Sequence, residues 1–330
     1  MNMSCLNLDN RIRDAISRIR FAPLSNNLLI SSWDSNLRLY DVDKCELRLE
    51  APTDGAALLD CCFETESTAV SANSDGSILR YDMHSGNSKA IGTHDDLATC
   101  VDYSKETCQI ITAGWDKKVK FWDARSASSS GCLSNLDVEV ESMSLSGYYL
   151  MLALRSSVHM YDLRNLDGPI LKVIIGGMFL MYLIMMFIHA GFVVGSIDGR
   201  VALEYIGKSN SKDQGYAFRC HPKDKNGRHY HVAVNDIAFS PSLHGVLVTG
   251  DNEGHATIWD VLSRKRLIEL PRCPNSVASL AYNCSGELLA VTSSYTYQEA
   301  NEREEMPQIF IHHMDDSYIK SNSATISNGK

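Results

Sequence analysis

Short apolar segments recur along the whole chain, and each alternates hydrophobic and polar residues with a period of two. An acidic turn residue follows most of these segments. Six positions after the turn comes an aromatic residue followed by an acid, or a remnant of that pair. Such alternation predicts β-strands, and the acidic residue predicts a tight turn between two of them. The six pairs are Tyr40-Asp41, Tyr81-Asp82, Trp122-Asp123, Tyr161-Asp162, the remnant Glu204-Tyr205, and Trp259-Asp260.

These pairs repeat at a nearly constant interval. Their first members lie 41, 41, 39, 43 and 55 residues apart, if the remnant is counted at Glu204. A period near 40 residues that ends in an aromatic-acid pair is typical of a β-propeller, in which every repeat forms one blade of four strands. The acidic turn position is filled in five repeats and fails in the fourth, where Arg155 stands.

A seventh blade is predicted from the apolar runs at 277–294 and 309–311, with an acidic insert at 298–307 in its inner turn. The opening strand around Cys5 to Leu8 would pair as the outer strand of this last blade. Such closure protects sheet edges that would otherwise invite aggregation. The sequence therefore predicts an all-β, seven-bladed WD40 β-propeller.

The predicted propeller occupies residues 1–314, and a disordered polar tail occupies 315–330. A net charge of −9 argues against non-specific binding to nucleic acid or to an anionic membrane. The ten cysteines form no C-x-x-C pair, and the first residues are charged rather than apolar. Reduced thiols in the cytosol or nucleus are therefore expected. We expect no catalysis, no cofactor and no bound metal.

Four residues of the third repeat occupy positions where the WD40 family places a linked hydrogen-bond tetrad. A buried tryptophan needs a partner for its indole N–H, and a tight turn needs its backbone donors satisfied. We therefore assign these four residues a structural role: His94, Thr112, Asp116 and Trp122.

Longer segments resemble one particular family, the WD40 adaptors of the Bub family that act in the mitotic spindle checkpoint. The resemblance runs from about residue 14 to 312. The related messenger-RNA export propeller shares the Ser-Ser-Trp-Asp opening, but the Arg-Leu-Tyr-Asp and Glu-Tyr forms favour the checkpoint family. The matching segments are Ser31-Ser32-Trp33-Asp34, Leu37-Arg38-Leu39-Tyr40-Asp41-Val42, Gly92-Thr93-His94-Asp95, Asp198-Gly199-Arg200-Val201-Ala202-Leu203-Glu204-Tyr205, Tyr216-Ala217-Phe218-Arg219-Cys220-His221 and Ala278-Ser279-Leu280-Ala281.

The resemblance implies a non-catalytic kinetochore adaptor. Such a protein binds a checkpoint kinase or kinase-like partner of the Bub/Mad class on the top face of the propeller, within the mitotic checkpoint complex. It also reads a phosphorylated Met-Glu-Leu-Thr motif on a kinetochore scaffold. The expected location is the nucleus and cytoplasm, and the kinetochore in mitosis, without direct contact to nucleic acid.

Residues at the top rim are the candidate binding residues. Trp33 and Trp115 precede the acidic turn residue, where a tryptophan either anchors a partner peptide or packs against neighbouring loops. Arg200 and Lys118 stand two positions after the turn acid and are assigned to phosphopeptide binding. In the family, the arginine of the Gly-Arg-Val motif contacts the phosphothreonine, and Arg200 matches it. The alternative is a rim arginine paired with its turn acid. Arg219, in the Phe-Arg-Cys-His motif, is assigned to partner-peptide binding.

One segment departs from the family. At residues 173–190 the chain is apolar, where a Tyr-Gln-x-Arg motif with a second phosphate-contacting arginine is expected. This stretch is long enough for a membrane span, which would cut the ring between blades four and five. A folded, methionine-rich replacement for the missing strands, or a retained intron, are the alternative interpretations. Blade five is therefore the blade whose integrity is in question.

Two other interaction roles remain open. The Trp122-Asp123-Ala124-Arg125 segment resembles the Trp-Asp-x-Arg box of propellers that dock on the DNA-damage-binding adaptor of cullin ubiquitin ligases, and Tyr161-Asp162-Leu163-Arg164 echoes it. A substrate receptor of such a ligase is therefore one alternative. A messenger-RNA export propeller with a nuclear-pore partner is the other.

Overall fold

Seven small antiparallel sheets, arranged in a circle, make up the protein. The structure is a computed structural model that describes residues 3–6, 12–125, 128–134, 136–175, 182–187, 191–206, 215–220, 223–225, 228–230, 232–296 and 305–314. These residues form seven four-stranded sheets and a separate two-stranded ribbon. The first strands of successive sheets contact one another, and the last contacts the first. The predicted seven-bladed β-propeller is therefore confirmed. The predicted tail at 315–330 lies outside the described residues.

The strands follow one another blade by blade, from the centre of the ring outwards. The first described strand, β1 (Met3–Cys5), belongs to blade seven. Blades one to four consist of β2 (Ile16–Phe21), β3 (Asn27–Ser32), β4 (Asn36–Asp41) and β5 (Glu46–Pro52); β6 (Leu58–Thr65), β7 (Thr68–Asn73), β8 (Ser77–Asp82) and β9 (Ser88–Thr93); β10 (Ala98–Ser104), β11 (Gln109–Gly114), β12 (Val119–Asp123) and β13 (Ser128–Leu133); and β14 (Ser142–Ser146), β15 (Tyr149–Leu154), β16 (Ser157–Asp162) and β17 (Leu171–Ile174).

Blades five to seven follow the same order, with the ribbon inserted between blades five and six. They consist of β18 (Tyr182–Phe187), β19 (Gly191–Gly195), β20 (Arg200–Tyr205) and β21 (Tyr216–Arg219); the ribbon strands β22 (Lys223–Lys225) and β23 (Arg228–Tyr230); β24 (Val234–Phe239), β25 (Val246–Asp251), β26 (Ala256–Asp260) and β27 (Lys265–Glu269); and β28 (Val277–Tyr282), β29 (Leu288–Ser293) and β30 (Gln308–His313), with β1 as the outer strand of blade seven.

Hydrophobic burial occurs between blades rather than within one blade. In β12, Val119 and Phe121 are buried while Lys120 between them is partly exposed, as period-two alternation requires. Trp122 of blade three packs in one cluster with Val70 and other residues of blade two. Because each core needs side chains from two sheets, no blade can bury its apolar faces alone, and the ring has to close.

The turns between second and third strands share one backbone conformation. In five blades the turn has three or four residues, and the residue directly after the turn acid has a positive φ between 61° and 87°. Blade four differs, because Leu154 pairs directly with Ser157 and only two residues turn the chain. This shorter turn has no place for the acid, which explains why the pattern fails there. The five positive-φ residues are Ser35, Gly76, Lys117, Gly199 and Gly254.

The apolar stretch at 173–190 contributes strands to two blades. Its first residues belong to β17, and 182–187 form β18, the first strand of blade five. Phe187 lies opposite Gly191 and Tyr182 opposite Gly195, so blade five has all four strands. The membrane-helix interpretation is therefore wrong, and folded replacement strands are what the structure contains. No helix of membrane-spanning length and apolarity occurs in the described parts of the chain. The retained intron concerns the gene and stays a hypothesis.

The four tetrad residues of blade three form one chain of hydrogen bonds. Trp122 Nε1 donates to Thr112 Oγ1 at 2.9 Å, and Thr112 Oγ1 lies 2.8 Å from His94 Nε2. His94 Nδ1 lies 2.9 Å from Asp116 Oδ1. Burial lowers the pKa of His94 in spite of the neighbouring carboxylate, so the imidazole is neutral and every group has one matching partner. The chain fastens the turn of blade three to the preceding connection.

A network of charges crosses the centre of the ring. Arg18 of β2 donates from Nε to Asp60 of β6 at 3.1 Å and from Nη1 to Asp236 of β24 at 3.3 Å. Both carboxylates also accept backbone N–H groups of the next blade, from Val101 at 2.9 Å and from Leu280 at 2.8 Å. Burial opposes the charge of Arg18, but the two carboxylates outweigh burial and raise its pKa. The network thus links the first strands of five blades.

Replacing Arg18 by methionine should lower the free energy of unfolding by about 3 to 5 kcal/mol, because two buried carboxylates lose their counter-charge. Denaturant unfolding measures the loss. Arg48 is exposed and makes no ion pair among the described residues, so Arg48→Met should change stability by less than about 0.5 kcal/mol. Equal losses for the two variants would contradict a central role for Arg18.

Replacing Thr112 by valine should lower the free energy of unfolding by about 3 kcal/mol, since the indole N–H of Trp122 and the His94 imidazole lose their buried partner. Thr107 supplies a matched control, because its buried hydroxyl has no hydrogen-bond partner among the described residues. Thr107→Val should be neutral or slightly stabilising. The melting temperatures of the two variants are compared with that of the unaltered protein. A similar decrease in both would show that the hydrogen bonds of the tetrad do not contribute to stability.

Candidate functional site

One face of the propeller carries the predicted rim residues. We call it the upper face, and define it by the turns between second and third strands together with the connections that lead from each outer strand to the next blade. Trp33 and Trp115 both lie here, 38% and 44% exposed. They belong to blades one and three, with blade two between them, so they mark two separate points on the rim.

A buried ion cluster positions Trp33. Arg38, 2% exposed, donates to Ser32 Oγ at 2.7 Å, to both oxygens of Asp34 at 3.0 and 2.7 Å, and pairs with Glu50 at 2.7 Å. Burial opposes the charge of Asp34, but hydrogen bonds from Arg38 and Ser32 prevail and lower its pKa. Blade one therefore holds its turn by an arginine where blade three uses the histidine tetrad, and Trp33 sits on this fixed turn.

Lys118 lies on the upper face of blade three, and its ammonium group is engaged by Asp95. Arg200 lies on blade five, and the whole of blade four stands between them. One phosphate group cannot touch both side chains. The structure therefore does not bring together the two residues that the sequence assigned to phosphopeptide binding.

Arg200 begins β20 at the upper face. Its Nε pairs with Asp198 Oδ2 at 2.5 Å, and 29% of the side chain is exposed. Ser196 in turn donates to Asp198. The turn residue Gly199 has φ +76°, and a Cβ there would lie 2.6 Å from the Val232 carbonyl oxygen, so only glycine fits. The alternative of a rim arginine paired with its turn acid is thus observed, and it also fixes the orientation of the guanidinium.

Arg219 is the cross-strand neighbour of Arg200. The two residues face each other in the register of β20 and β21, and Arg219 is exposed. Like charges directly opposite each other in an antiparallel pair destabilise a sheet. An anion bound between them would remove that repulsion. The structure therefore brings together Arg200 and Arg219, which the sequence had assigned to two different ligands.

A groove on the outer side of the ring continues from Arg219, between the outer strand of blade five and the third strand of blade six. Its volume is about 110 Å³. Phe218 lies against Trp259 with ring centroids 4.9 Å apart, and Tyr216 donates its hydroxyl to the Val261 carbonyl at 2.5 Å. Burial raises the pKa of Tyr216 to about 12, which keeps this phenol a donor. The walls of the groove are thus aromatic and fixed.

Positive charge dominates the same groove. Arg264 lies over the Tyr216 ring, 4.2 Å from its centroid, and Lys265 follows it. Asp260 is the one lining carboxylate among the described residues, and its oxygens already accept from Leu262 and Ser263. An acidic ligand therefore finds cations along the whole groove, in a protein that is acidic overall.

The sequence did not reveal this groove. Trp259 is only partly buried and lines the groove, whereas Trp122 at the equivalent position of blade three is buried. The difference lies in the preceding outer strand. A Cβ at Gly92 would lie 2.0 Å from the Trp122 ring, so only glycine lets that ring pack closely, whereas the Phe218 ring is tilted against Trp259. The aromatic residues at alternate positions 216 and 218 were the available signal.

The two Trp-Asp-x-Arg-like segments end differently. The Arg125 side chain is 83% exposed and lies 3.6 Å from Asp123. Arg164 instead makes two hydrogen bonds to Asp162, at 2.9 and 2.6 Å, and lies 4.8 Å from the centroid of the Tyr148 ring. Only Arg125 extends into solvent as a docking residue would.

Metal-ligating side chains do not cluster. Among the described residues, no three of His, Cys, Asp and Glu come together in a way that could hold a metal ion. His312 is buried and burial lowers its pKa to about 4, while its neighbour His313 is exposed. The two adjacent histidines therefore lie in different surroundings, one buried and one exposed.

Known proteins share both the repeat and the whole chain. A family model described as WD domain, G-beta repeat matches residues 87–123. Mitotic checkpoint protein BUB3.3 of Arabidopsis thaliana is 48% identical over 310 residues, which cover 94% of this chain and 98% of that protein. Mitotic checkpoint protein bub3 of Dictyostelium discoideum is 34% identical over 310 residues, with 91% and 92% covered.

Two more distant similarities complete the comparison. The Poly(A)+ RNA export protein of Schizosaccharomyces pombe is 28% identical over 325 residues, with 93% of this chain and 90% of that protein covered. The solved structure of U3-55K superposes with a TM-score of 0.82 at 16% identity, covering 94% and 98% of the two chains, and shows the fold alone. Because the similarity to two proteins named BUB3 extends over nearly the whole chain, the chain belongs to the BUB3 family of WD40-repeat propellers, as its motifs predict.

Proposed function

We propose that this chain is a non-catalytic adaptor of the spindle-assembly checkpoint. Its task is to join a phosphorylated kinetochore scaffold to a checkpoint kinase or kinase-like partner, in the nucleus and cytoplasm and at the mitotic kinetochore. The observation that carries the proposal is the Arg200–Arg219 pair, which continues into an aromatic groove with positively charged edges. Similarity to proteins named mitotic checkpoint protein supports the same role.

The arginine pair supplies the phosphate site. A phosphothreonine carries nearly two negative charges at neutral pH, and a guanidinium can hold a phosphate through two parallel hydrogen bonds. Asp198 keeps the Arg200 guanidinium in place, and Arg219 lies directly across the strand pair. Arg219 thus takes the part that the missing Tyr-Gln-x-Arg arginine plays in the family.

The groove supplies the remainder of the motif. An extended peptide rises by about 3.3 Å per residue, so the methionine of a Met-Glu-Leu-Thr segment lies about 10 Å from the phosphothreonine. Tyr216 and Arg219 are also three residues apart in one strand. A peptide that runs beside β21 therefore places its methionine near Tyr216 and Trp259 when its phosphate lies on Arg219. Arg264 and Lys265 are then available to the acidic residue of the motif.

Arg200→Glu or Arg219→Glu should each weaken binding of a Met-Glu-Leu-phosphothreonine peptide at least about ten-fold, because each arginine makes charge-assisted hydrogen bonds to the phosphate. Fluorescence anisotropy of the labelled peptide measures the affinity, and the unphosphorylated peptide sets the baseline. Lys118→Glu is the matched control on blade three and should leave the affinity within two-fold or so. Unchanged binding by the Arg200→Glu/Arg219→Glu double variant would refute the site.

The tryptophans of the upper face supply the second contact. An exposed tryptophan on a rigid turn buries a large area at small entropic cost when a partner covers it. Trp33 and Trp115 both meet this description, whereas Leu24 is an exposed apolar residue in a turn on the opposite, lower face. We therefore assign the kinase segment to the upper face and the phosphopeptide to the side of blades five and six.

Trp115→Ala and Trp33→Ala should each weaken binding of a kinase segment by about thirty-fold, the effect of losing an interface anchor worth about 2 kcal/mol. Isothermal titration with a purified Bub-class segment gives the affinities. Leu24→Ala removes similar exposed apolar area elsewhere and should have no effect. The assignment fails if Leu24→Ala weakens the complex as much as the tryptophan variants do, or if none of them does. Binding to a cullin adaptor that depends on Arg125 would favour the ligase alternative.

A further inference from the structure

The turn between β26 and β27 carries the densest run of positive charge in the chain. Arg264, Lys265 and Arg266 are the only three consecutive basic residues in the sequence, and the exposed Ser263 directly precedes them. Arg266 pairs with Glu269 at 3.2 Å, whereas Arg264 and Lys265 form no ion pair with any residue that the structure describes. An exposed hydroxyl therefore stands next to cations that are available to an anion.

One carboxylate fixes this turn. Asp260 Oδ1 accepts the backbone N–H groups of Leu262 and Ser263, both at 3.0 Å, and its Oδ2 accepts the Ser263 hydroxyl. Ser263 lies in the chain between Val261 and Arg264, which both line the groove beside blade six. The hydroxyl is thus held at the edge of that groove, next in sequence to its positive charges.

Blade two contains the same turn without the positive charge. Asp82 Oδ1 accepts the N–H groups of His84 and Ser85 at 2.8 and 3.1 Å. The next residue, Gly86, has φ +75° and adopts the left-handed conformation without strain, and the two residues after it are uncharged. Because Ser85 is also exposed, this turn is a matched reference for Ser263.

Arg264 occupies the left-handed position of the turn in blade six, with φ +56°. An arginine is strained in this conformation, which a glycine would adopt freely. Its guanidinium lies over the Tyr216 ring, 4.2 Å from the centroid, and a glycine could not make this contact. The conformation thus places a cation on the wall of the groove, directly after the serine.

A phosphate on Ser263 would change the charge of this edge. It adds nearly two negative charges and three acceptor oxygens at neutral pH. The modified oxygen can no longer donate to Asp260, and the two negative groups repel each other. Arg264 and Lys265 are the next cations in the chain, and a guanidinium binds a phosphate through two parallel hydrogen bonds. Arg264 would then leave the Tyr216 ring, and the groove would lose its positive edge.

We propose that Ser263 is a phosphorylation site, and that its phosphate closes the neighbouring groove to acidic peptides. The donor is ATP: a bond forms between the Ser263 oxygen and the γ-phosphorus, the bond from that phosphorus to ADP breaks, and the hydroxyl proton passes to the base of the kinase. A kinase with an acidic substrate groove fits, because kinases select substrates by charge pattern and three basic residues follow this serine. The effect on peptide binding rests on the phosphopeptide site proposed above, whereas the modification itself does not.

Protein kinase C, which accepts a serine followed by basic residues, is a suitable probe of the modification. With ATP it should phosphorylate Ser263 in the folded protein and leave Ser85 unmodified, which peptide mapping by mass spectrometry detects. Ser263→Ala should abolish this labelling, and Arg264→Gln/Lys265→Gln/Arg266→Gln should slow it at least about ten-fold, because the charges that the kinase recognises are lost. No labelling of Ser263, or labelling of Ser85 at an equal rate, would overturn the proposal.

The phosphorylated protein should bind the Met-Glu-Leu-phosphothreonine peptide about five- to ten-fold more weakly than the unmodified protein, the effect of losing two exposed charge pairs. Ser263→Glu should act in the same direction. Ser85→Glu makes an equal change of charge on blade two and should leave the affinity within two-fold or so. Unaltered melting temperatures establish that the variants are folded. Unchanged affinity after phosphorylation, or an equal loss in Ser85→Glu, would refute the switch.

A second readout needs no peptide. The Tyr216 ring signals in the NMR spectrum, assigned through Tyr216→Phe, should shift on phosphorylation because Arg264 leaves the ring, and they should stay in place in Ser85→Glu. If the peptide does not bind even the unmodified protein, the proposed function fails, and the Tyr216 signals still decide whether phosphorylation rearranges the groove. Signals that do not move in the phosphorylated protein would overturn the inference.

Discussion

The requirement that the ring close governs this protein. Each hydrophobic core lies between two neighbouring sheets, so a blade without its neighbour exposes an apolar face to water. Two devices meet the requirement. The strand Met3–Cys5 completes blade seven by pairing with β30, and Arg18 ties Asp60 to Asp236 across the centre. The strand pairing joins distant parts of the chain through backbone hydrogen bonds, and Arg18 joins them through ion pairs.

Closure also decides where binding chemistry is available. Polar side chains of the inner strands form hydrogen bonds with neighbouring blades: Ser17 donates to Leu58 O, and Asp60 accepts from Val101 N. The outer strands have no such neighbour on their far edge, and their side chains are half-exposed. The groove beside β21 lies there, between this outer strand and the third strand of the following blade.

Much of this architecture follows from local sequence pattern, and the rest follows from contacts between blades. The forty-residue repeat and the two-residue alternation predict seven sheets, because both depend on backbone geometry that each repeat sets by itself. The two-residue turn of blade four could not be predicted, because Arg155 adopts a positive φ and an arginine does not indicate that backbone conformation. The partial exposure of Trp259 could not be predicted from its own repeat, since it depends on Phe218 in another repeat. The opposition of Arg200 and Arg219 depends on strand register, which spacing alone does not determine.

The apolar stretch shows how much a repeat fold tolerates. Its described residues complete β17 and form β18 without any charged side chain of their own, and blade five still has four strands with β19 in regular antiparallel register. β18 contacts the first strands β14 and β24 of the two neighbouring blades, as the first strands of the other blades contact theirs. The replacement leaves the blade intact. Arg219 lies on the outer strand, which the replacement leaves in place, so the Arg200–Arg219 pair depends on β20 and β21 rather than on the altered strand. The loss of one motif and the survival of an arginine pair in the same blade are therefore compatible.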